Sequence, residues 1–335
     1  MIISIFASIG SQNLGDELIL KNEIKILEEK YGSDTQFYVF TYDIENPFYV
    51  ANNVEYVEYF PINVKKPQNF LRNKNNFSCF LSVVKKSDLI VVGGGGIIYD
   101  TELQSVKNPL NQWAFRSTLF KFFNKKVLFY AIGLNIKNRK NYKKIKQIFS
   151  GNTEVTVRDS YSYNLLEELG IESKIILDPV FSDDGDSQEF LKNTKLIKKI
   201  NCSKFDMRAM KGIDLSGKKV GIAFRKGYLK NEIRSIEKII ENIQSQGGTV
   251  ILISNSFHQT DNLANDYSFL EYFARKYDLK ITKDMQESYD IYKQKKVDIC
   301  FGMRLHSMIL SQVYGINFIA FSYSKKTDEI LKILT

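Results

Sequence analysis

The chain has 335 residues, 44% hydrophobic and 25% charged, a length that exceeds one comfortable core and implies two domains, and a composition that excludes a disordered chain. Lys and Arg number 47 against 38 Asp and Glu, and the net charge of +9 draws anionic partners through the summed field, phosphorylated metabolites and anionic lipid among them. Nucleic acid is set aside, because the lysines fall in short clusters such as Lys137–Lys146 and Lys192–Lys199 and no recognised nucleic-acid module appears.

The N-terminus, Met1 to Phe6, is apolar but lacks a basic start and a cleavage site, so Ile2–Ala7 is predicted as a first β-strand of a cytoplasmic chain. No apolar run approaches the roughly 20 residues that cross a bilayer. A helix over Asp16–Tyr31 follows, then strands at Gln36–Tyr42, Leu89–Val92, Val127–Ile132 and Val155–Val157, and a helix over Ser160–Leu169 closed by Gly170. The alternation predicts a parallel sheet with helices on both faces. It pauses between Asp178 and Gly217, a polar stretch with one helical segment over Phe190–Ile200. It resumes with strands at Lys219–Phe224, Thr249–Ser254, Val297–Phe301 and Phe318–Phe321 and helices at Glu232–Gln246, Tyr267–Tyr277 and Leu305–Tyr314. The expected architecture is therefore α/β, two Rossmann-like domains facing a cleft, the arrangement called GT-B-like: an N-terminal domain over 1–178, a linker with a helical segment over 179–217, and a C-terminal domain over 218–335. Cys79, Cys202 and Cys300 have neither zinc nor disulfide spacing.

Ligands of open α/β sheets collect at the carboxyl ends of strands, so residues just after strands carry the chemistry. The first strand ends in Gly10 to Glu17. A flexible turn with Asn13 or Asp16 as N-cap accounts for part of this, but two glycines with Asp16 and Glu17 leave backbone amides and carboxylates suited to sugar hydroxyls or phosphate. Gly93 to Gly96 follow another strand and admit either a ligand or close packing against the opposite lobe. They are not a dinucleotide fingerprint, since the third glycine position falls on Ile98 or Tyr99. Gly212–Gly217 before Lys218 imitates a P-loop without its Ser or Thr and on the wrong side of a strand. Asp184-Gly185-Asp186 has Asp-x-Asp spacing but sits in an acidic turn with no strand leading into it.

The segment Asp298 to Ser307 runs from a strand straight into a helix. Leu305, Met308, Ile309 and Val313 form the apolar face, leaving Arg304 and His306 off that face at the first turn. A helix N-terminus favours anions, Arg304 adds a bidentate fork, and His306, one of 2 histidines, can carry a proton near neutral pH. Arg158, Arg225 and Lys325 also follow strands, and together with Arg304 they would make a strongly cationic site. His258 is a weaker candidate of the same kind. No metal constellation is visible, so activity is expected to survive a chelator.

In order along the chain, Gly10 with Asn13-Leu14-Gly15-Asp16-Glu17, Val92-Gly93-Gly94-Gly95, Val157-Arg158-Asp159-Ser160, Asp178-Pro179, Gly302-Met303-Arg304-Leu305-His306 and Ser322-Tyr323-Ser324-Lys325-Lys326 resemble the polysaccharide pyruvyltransferase family. The resemblance covers essentially the whole chain. It stops soon after Lys326, where such proteins usually continue with a further helical segment, as expected of a short member or a truncated chain. It implies transfer of a pyruvyl group from phosphoenolpyruvate, as co-substrate and without a cofactor, to two hydroxyls of a sugar, with formation of a ketal and release of phosphate. His306 would then be the general acid and Asp16 a base, with Arg304, Arg158, Arg225 and Lys325 holding the donor. Asn13, Gly15, Glu17, Gly94 and Gly95 would lie on the acceptor side. The acceptor implied is a surface polysaccharide or its lipid-linked precursor, which gives the positive charge a use in peripheral contact with the inner membrane. A nucleotide-sugar glycosyltransferase of the same architecture is the competing reading, and an acidic residue near the end of the second domain would favour it. A non-catalytic glycan-binding protein is the third.

Overall fold

The structure is a computed structural model that describes residues 1–60, 69–101, 108–183, 195–259, 261–324, 327–328 and 331–332. The chain forms two compact units, Met1–Gly10 with Asp16–Pro179, and Ser11–Gly15 with Val180–Thr335.

The first unit runs β1 (Ile2–Phe6), α1 (Leu14–Tyr31), β2 (Gln36–Thr41), β3 (Val54–Glu58), α2 (Asn69–Lys86), β4 (Leu89–Val92) and β5 (Gly95–Tyr99), then α3 (Pro109–Phe122), β6 (Lys126–Asn135), α4 (Tyr142–Ile148), β7 (Thr153–Val157), α5 (Ser160–Glu168) and β8 (Lys174–Ile175). The sheet has the order β3-β2-β1-β4-β6-β7-β8, with β5 added on β6. Its pairings are parallel, as suits strands buried on both faces, and all four residues of β4 are buried. The two-residue period of a strand divides β1 between the faces. Ile3 and Ile5 meet Leu20, Ile24 and Leu27 of α1, while Phe6 joins Phe40, Phe80 and Phe120 beneath α2 and α3.

In the second unit the described elements are β9 (Leu196–Asn201), β10 (Lys219–Ala223), α6 (Glu232–Ser245), β11 (Thr249–Leu252), α7 (Asp266–Tyr277), β12 (Lys280–Ile281), α8 (Met285–Lys293), β13 (Ile299–Gly302), α9 (Leu305–Val313) and β14 (Asn317–Ser322). The strand order is β12-β11-β10-β13-β14-β9. Winding proceeds one way from β10 through β11 and the other way through β13 and β14, which makes the carboxyl ends of β10 and β13 the switch point where ligands settle. Ile236, Ile239, Ile240 and Ile243 of α6 follow helical spacing and are buried in this core. The buried Asp183 carboxylate accepts from the Tyr289 hydroxyl at 2.7 Å and the Tyr314 hydroxyl at 2.6 Å, tying the start of the unit to α8 and to the residue after α9.

The stretch read as a linker over 179–217 is corrected here. Leu196–Asn201 is not helical but strand β9, which pairs with β14 from Leu196 opposite Phe318 to Asn201 opposite Ser322, so this part of the chain completes the second sheet. A parallel edge strand needs β-competent residues facing a partner distant in sequence, and Leu-Ile-Lys-Lys-Ile also fits a helix when read alone. Phe190 and Asp184 to Asp186 lie outside the described residues.

Candidate functional site

The switch point of the second unit gathers three of the expected residues. Ala223 of β10 is paired with Gly302 of β13, and Arg225 and Arg304 each stand two residues beyond that pair. Arg304 is the N-cap of α9 in extended conformation and makes no side-chain cap bond. Its Nε donates to Asp266 Oδ2 at 2.9 Å, and its Nη2 to Asp266 Oδ1 at 2.6 Å and to the Ala264 carbonyl at 2.9 Å. The guanidinium plane is thereby held in one orientation. Burial pushes the Asp266 carboxyl up, while Arg304 and then Arg225 pull it down. Arg225 lies against two rings, 4.7 Å from the Tyr228 centroid and 5.6 Å from that of Tyr323. Its Nε is buried with no hydrogen-bond partner among the described residues.

His306, half-buried in the first turn of α9, is packed by an element expected elsewhere. The turn Ser11–Gly15 belongs to this unit. Asn13 bridges Ser256 in antiparallel fashion, the Leu14 amide donates to the Asn255 carbonyl at 2.9 Å, and the Phe257 amide donates to the Gln12 carbonyl at 2.9 Å. A Cβ at Gly15 would stand 1.8 Å from His306 Nδ1, so only glycine lets the turn lie against the imidazole in this position. Asn13 and Gly15, read from sequence as residues of the N-terminal domain, are thus corrected to the unit that carries His306. Asn13 Oδ1 accepts from the Gly15 amide at 3.2 Å. His258, in the same loop as Ser256, accepts at Nδ1 from the Asp261 amide at 3.0 Å and closes a turn. Lys325 lies outside the described residues.

Unit 1 holds the other candidates. Arg158 is 3% exposed and paired with the buried Asp178 carboxylate. Gly93 and Gly94 meet α1: a Cβ would come 2.0 Å from Glu23 Oε2 at Gly93 and 2.6 Å from Ile19 Cγ2 at Gly94. The Gly94 amide also donates to Glu23 Oε1 at 2.6 Å. At Gly93 and Gly94 the absence of a side chain therefore admits a helix of their own unit. Glu17 is buried and accepts from the Gly10 amide at 2.9 Å, so it clamps its own turn, and burial pushes its carboxyl up to about 7. Asp16 Oδ1 faces Gly95, 3.5 Å from where a Cβ would stand.

Glu23 was missed in the sequence, although its place beside Leu20, Ile24 and Leu27 puts it on the buried stripe of α1. Burial pushes its carboxyl from the ordinary 4.5 up to about 8, against the Gly94 amide that pulls it down. A group protonated more readily when folded gives stability that is complete below about 4.5 and is lost as pH rises toward about 8. Glu23→Gln keeps an acceptor for Gly94. It is expected to match the wild type near pH 4.5 and to exceed it by a few kcal/mol at pH 8 in urea unfolding. A stability difference that does not vary with pH would show that Glu23 is already charged in the folded protein.

Among the described residues no group of three or more His, Cys, Asp and Glu could hold a metal ion. A search of curated protein sequences finds no match. Among solved structures, the UDP-GlcNAc 2-epimerase of Methanocaldococcus jannaschii is similar over 99% of this chain and 91% of its own, with 12% identity and a TM-score of 0.53. Anabaena Alr3699/HepE in complex with UDP and glucose is similar over 99% and 88%, again with 12% identity and a TM-score of 0.53. At that identity they establish a shared GT-B-like fold of two Rossmann-like units. The sequence model of one family matches residues 13–325, from the turn beside His306 to the segment after β14, and by that match the chain belongs to the polysaccharide pyruvyl transferase family.

Proposed function

We propose that the protein transfers the pyruvyl group of phosphoenolpyruvate to two hydroxyls of one sugar in a surface polysaccharide or its lipid-linked precursor. The observation that carries this reading is the placement of His306 in the first turn of α9 with Arg304 and Arg225 at the same switch point. The donor has a phosphate and a carboxylate, and this cluster offers two guanidinium groups and a helix N-terminus. His306 gives a proton to the methylene carbon, which becomes the methyl group, and the adjacent carbon takes the first sugar oxygen. Phosphate then leaves and the second sugar oxygen closes the ketal. Of the two hydroxyl protons released, one replaces the proton that His306 gave and the other leaves with phosphate. Asp16 as base, Arg158 and Lys325 as donor contacts, and the acceptor roles of Asn13, Glu17, Gly94 and Gly95 remain proposals that rest on the family resemblance.

The glycosyltransferase reading retains one observation. Asp328 lines a cavity of about 200 Å³ with Asn201, Ser322 and Tyr323 at the carboxyl ends of β9 and β14. Ser322 Oγ donates to this carboxylate at 2.6 Å and Lys199 pairs with it at 2.5 Å. The volume is below the ~300–1,000 Å³ of ordinary small-molecule sites, which weighs against a nucleoside diphosphate. The deciding experiment offers the purified protein phosphoenolpyruvate with lipid-linked acceptors containing galactose, glucose or mannosamine, and in parallel a set of nucleotide sugars. Acceptor-dependent phosphate release is expected. Consumption of a nucleotide sugar without phosphate release from phosphoenolpyruvate would transfer the assignment to the glycosyltransferase reading.

A further inference from the structure

The two faces of the unit 1 sheet differ in charge and in what they show to water. α1, on one face, carries three lysines and five acidic residues, of which Glu17 and Glu23 are buried. α2, α3, α4 and α5 pack on the other through Val84, Phe120, Ile145, Ile148 and Leu166; the first three carry four, two and three cations, of which Arg116 is buried, and no Asp or Glu, while α5 carries Glu167 and Glu168 and no cation. The outer side of α3 also mixes exposed aromatic rings with polar residues such as Thr118, where an ordinary surface helix would be polar. Phe115 is 45% and Phe122 79% exposed, two aromatic rings seven residues apart on one solvent-facing stripe of α3, with exposed Thr118 and with Leu119, which packs partly on the core, between them.

The cations flank that stripe on both sides. Gln147 Nε2 of α4 donates to Thr118 Oγ1 of α3 at 3.2 Å, and Lys121 Nζ reaches Ser150 Oγ. This register sets α4 parallel to α3 and brings exposed Lys143, one turn before Gln147, level with Phe115. On the other side Lys125 Nζ donates to the carbonyls of Lys85 and Ser87, and Lys85 Nζ lies 5.3 Å from the Phe123 ring. A single exposed ring is unremarkable in a soluble protein. Two on one stripe, bordered by lysines and with no carboxylate on the three helices, match a surface of anionic headgroups, where rings enter below the phosphates and ammonium groups stay among them.

We propose that the α2–α4 face of unit 1 docks on a bilayer containing anionic lipid, with Phe115 and Phe122 in the headgroup region and Lys85, Lys143 and Lys146 against lipid phosphates. Among the described residues no helix is long and apolar enough to cross a membrane, so the association is peripheral as far as these helices go. The lipid-linked acceptor of the proposed reaction would give the docking a purpose, but the docking is measured without donor or acceptor and stands or falls separately.

The full chain is mixed with vesicles of phosphatidylcholine alone, or of phosphatidylcholine with phosphatidylglycerol, and sedimented. Binding to the anionic vesicles is expected, about five-fold weaker for each of Lys143→Gln and Lys146→Gln. It is expected to be about tenfold weaker for Phe115→Ser with Phe122→Ser, with circular dichroism and melting unchanged. Lys280→Gln with Lys283→Gln, which removes two exposed lysines of the second unit, leaves binding unchanged. An equal loss in that second pair would reduce the effect to net charge and overturn the proposal. So would full binding by the phenylalanine variant, or a wild-type dimer that the phenylalanine changes dissociate, since the face would then be a self-contact.

Discussion

His306→Ala is expected to lower acceptor-dependent phosphate release by a factor of about 10²–10⁴, the usual contribution of a positioned general acid. The loss belongs in kcat. Arg304 stays oriented by Asp266 and the Ala264 carbonyl, and Arg225 stays between Tyr228 and Tyr323, so the groups proposed to hold the donor are untouched and KM for phosphoenolpyruvate should change little. The fold should also survive, because His306 is half-buried and outside the apolar cluster formed by Ile222, Phe224, Phe301 and Phe321. A general acid gives up its proton during the reaction, so the pH profile of the wild type and that of the variant should differ in shape. Near-normal turnover in His306→Ala, or an unchanged pH profile at the lower rate, would remove the histidine from the proton transfer.

Much of this site was legible in sequence because its signals are local. A strand, a turn and an amphipathic helix lie within Asp298 to Val313, and the phase of that helix leaves Arg304 and His306 off its apolar face. Their partners were not legible. Asp266 is 38 residues from Arg304, and nothing local marks one aspartate among many as the one that fixes a guanidinium. The turn at Gly15 was read as a candidate site, but only three-dimensional packing shows that it lies on the imidazole. In the fold, the buried strands β1, β4, β10 and β13 announce themselves as apolar runs, whereas α2 was overlooked because Asn, Ser and β-branched residues give Asn69–Lys86 weak helical propensity. β3 was overlooked because Val-Glu-Tyr-Val-Glu alternates at a half-exposed sheet edge, and the two-residue strands β8 and β12 are too short to leave any periodicity.

Gly15→Ala tests the packing of that turn, and its predicted effect on activity is nearly as large as deletion of the histidine. The added methyl carbon would stand 1.8 Å from Nδ1, 2.3 Å from Cγ and 2.7 Å from Cε1 of His306. The backbone cannot withdraw easily, since the flanking residues are hydrogen-bonded to Asn255 and Phe257. The imidazole must therefore move by an ångström or more, and a displacement of that size from a reactive geometry costs about 10²-fold in rate. Stability should hardly change. An off-rotamer histidine costs about 0.5–1.5 kcal/mol, and alanine in the first turn of α1 returns about 0.5–1 kcal/mol relative to glycine. The decisive comparison is the double variant. With His306→Ala already in place the methyl group has room, so Gly15→Ala should cost no further activity and should slightly raise the melting temperature. That corresponds to a coupling of about 2.7 kcal/mol between the two positions, the energetic equivalent of the hundredfold loss. Losses that instead multiplied would mean that Gly15 acts on a bound ligand through its backbone and not through the histidine.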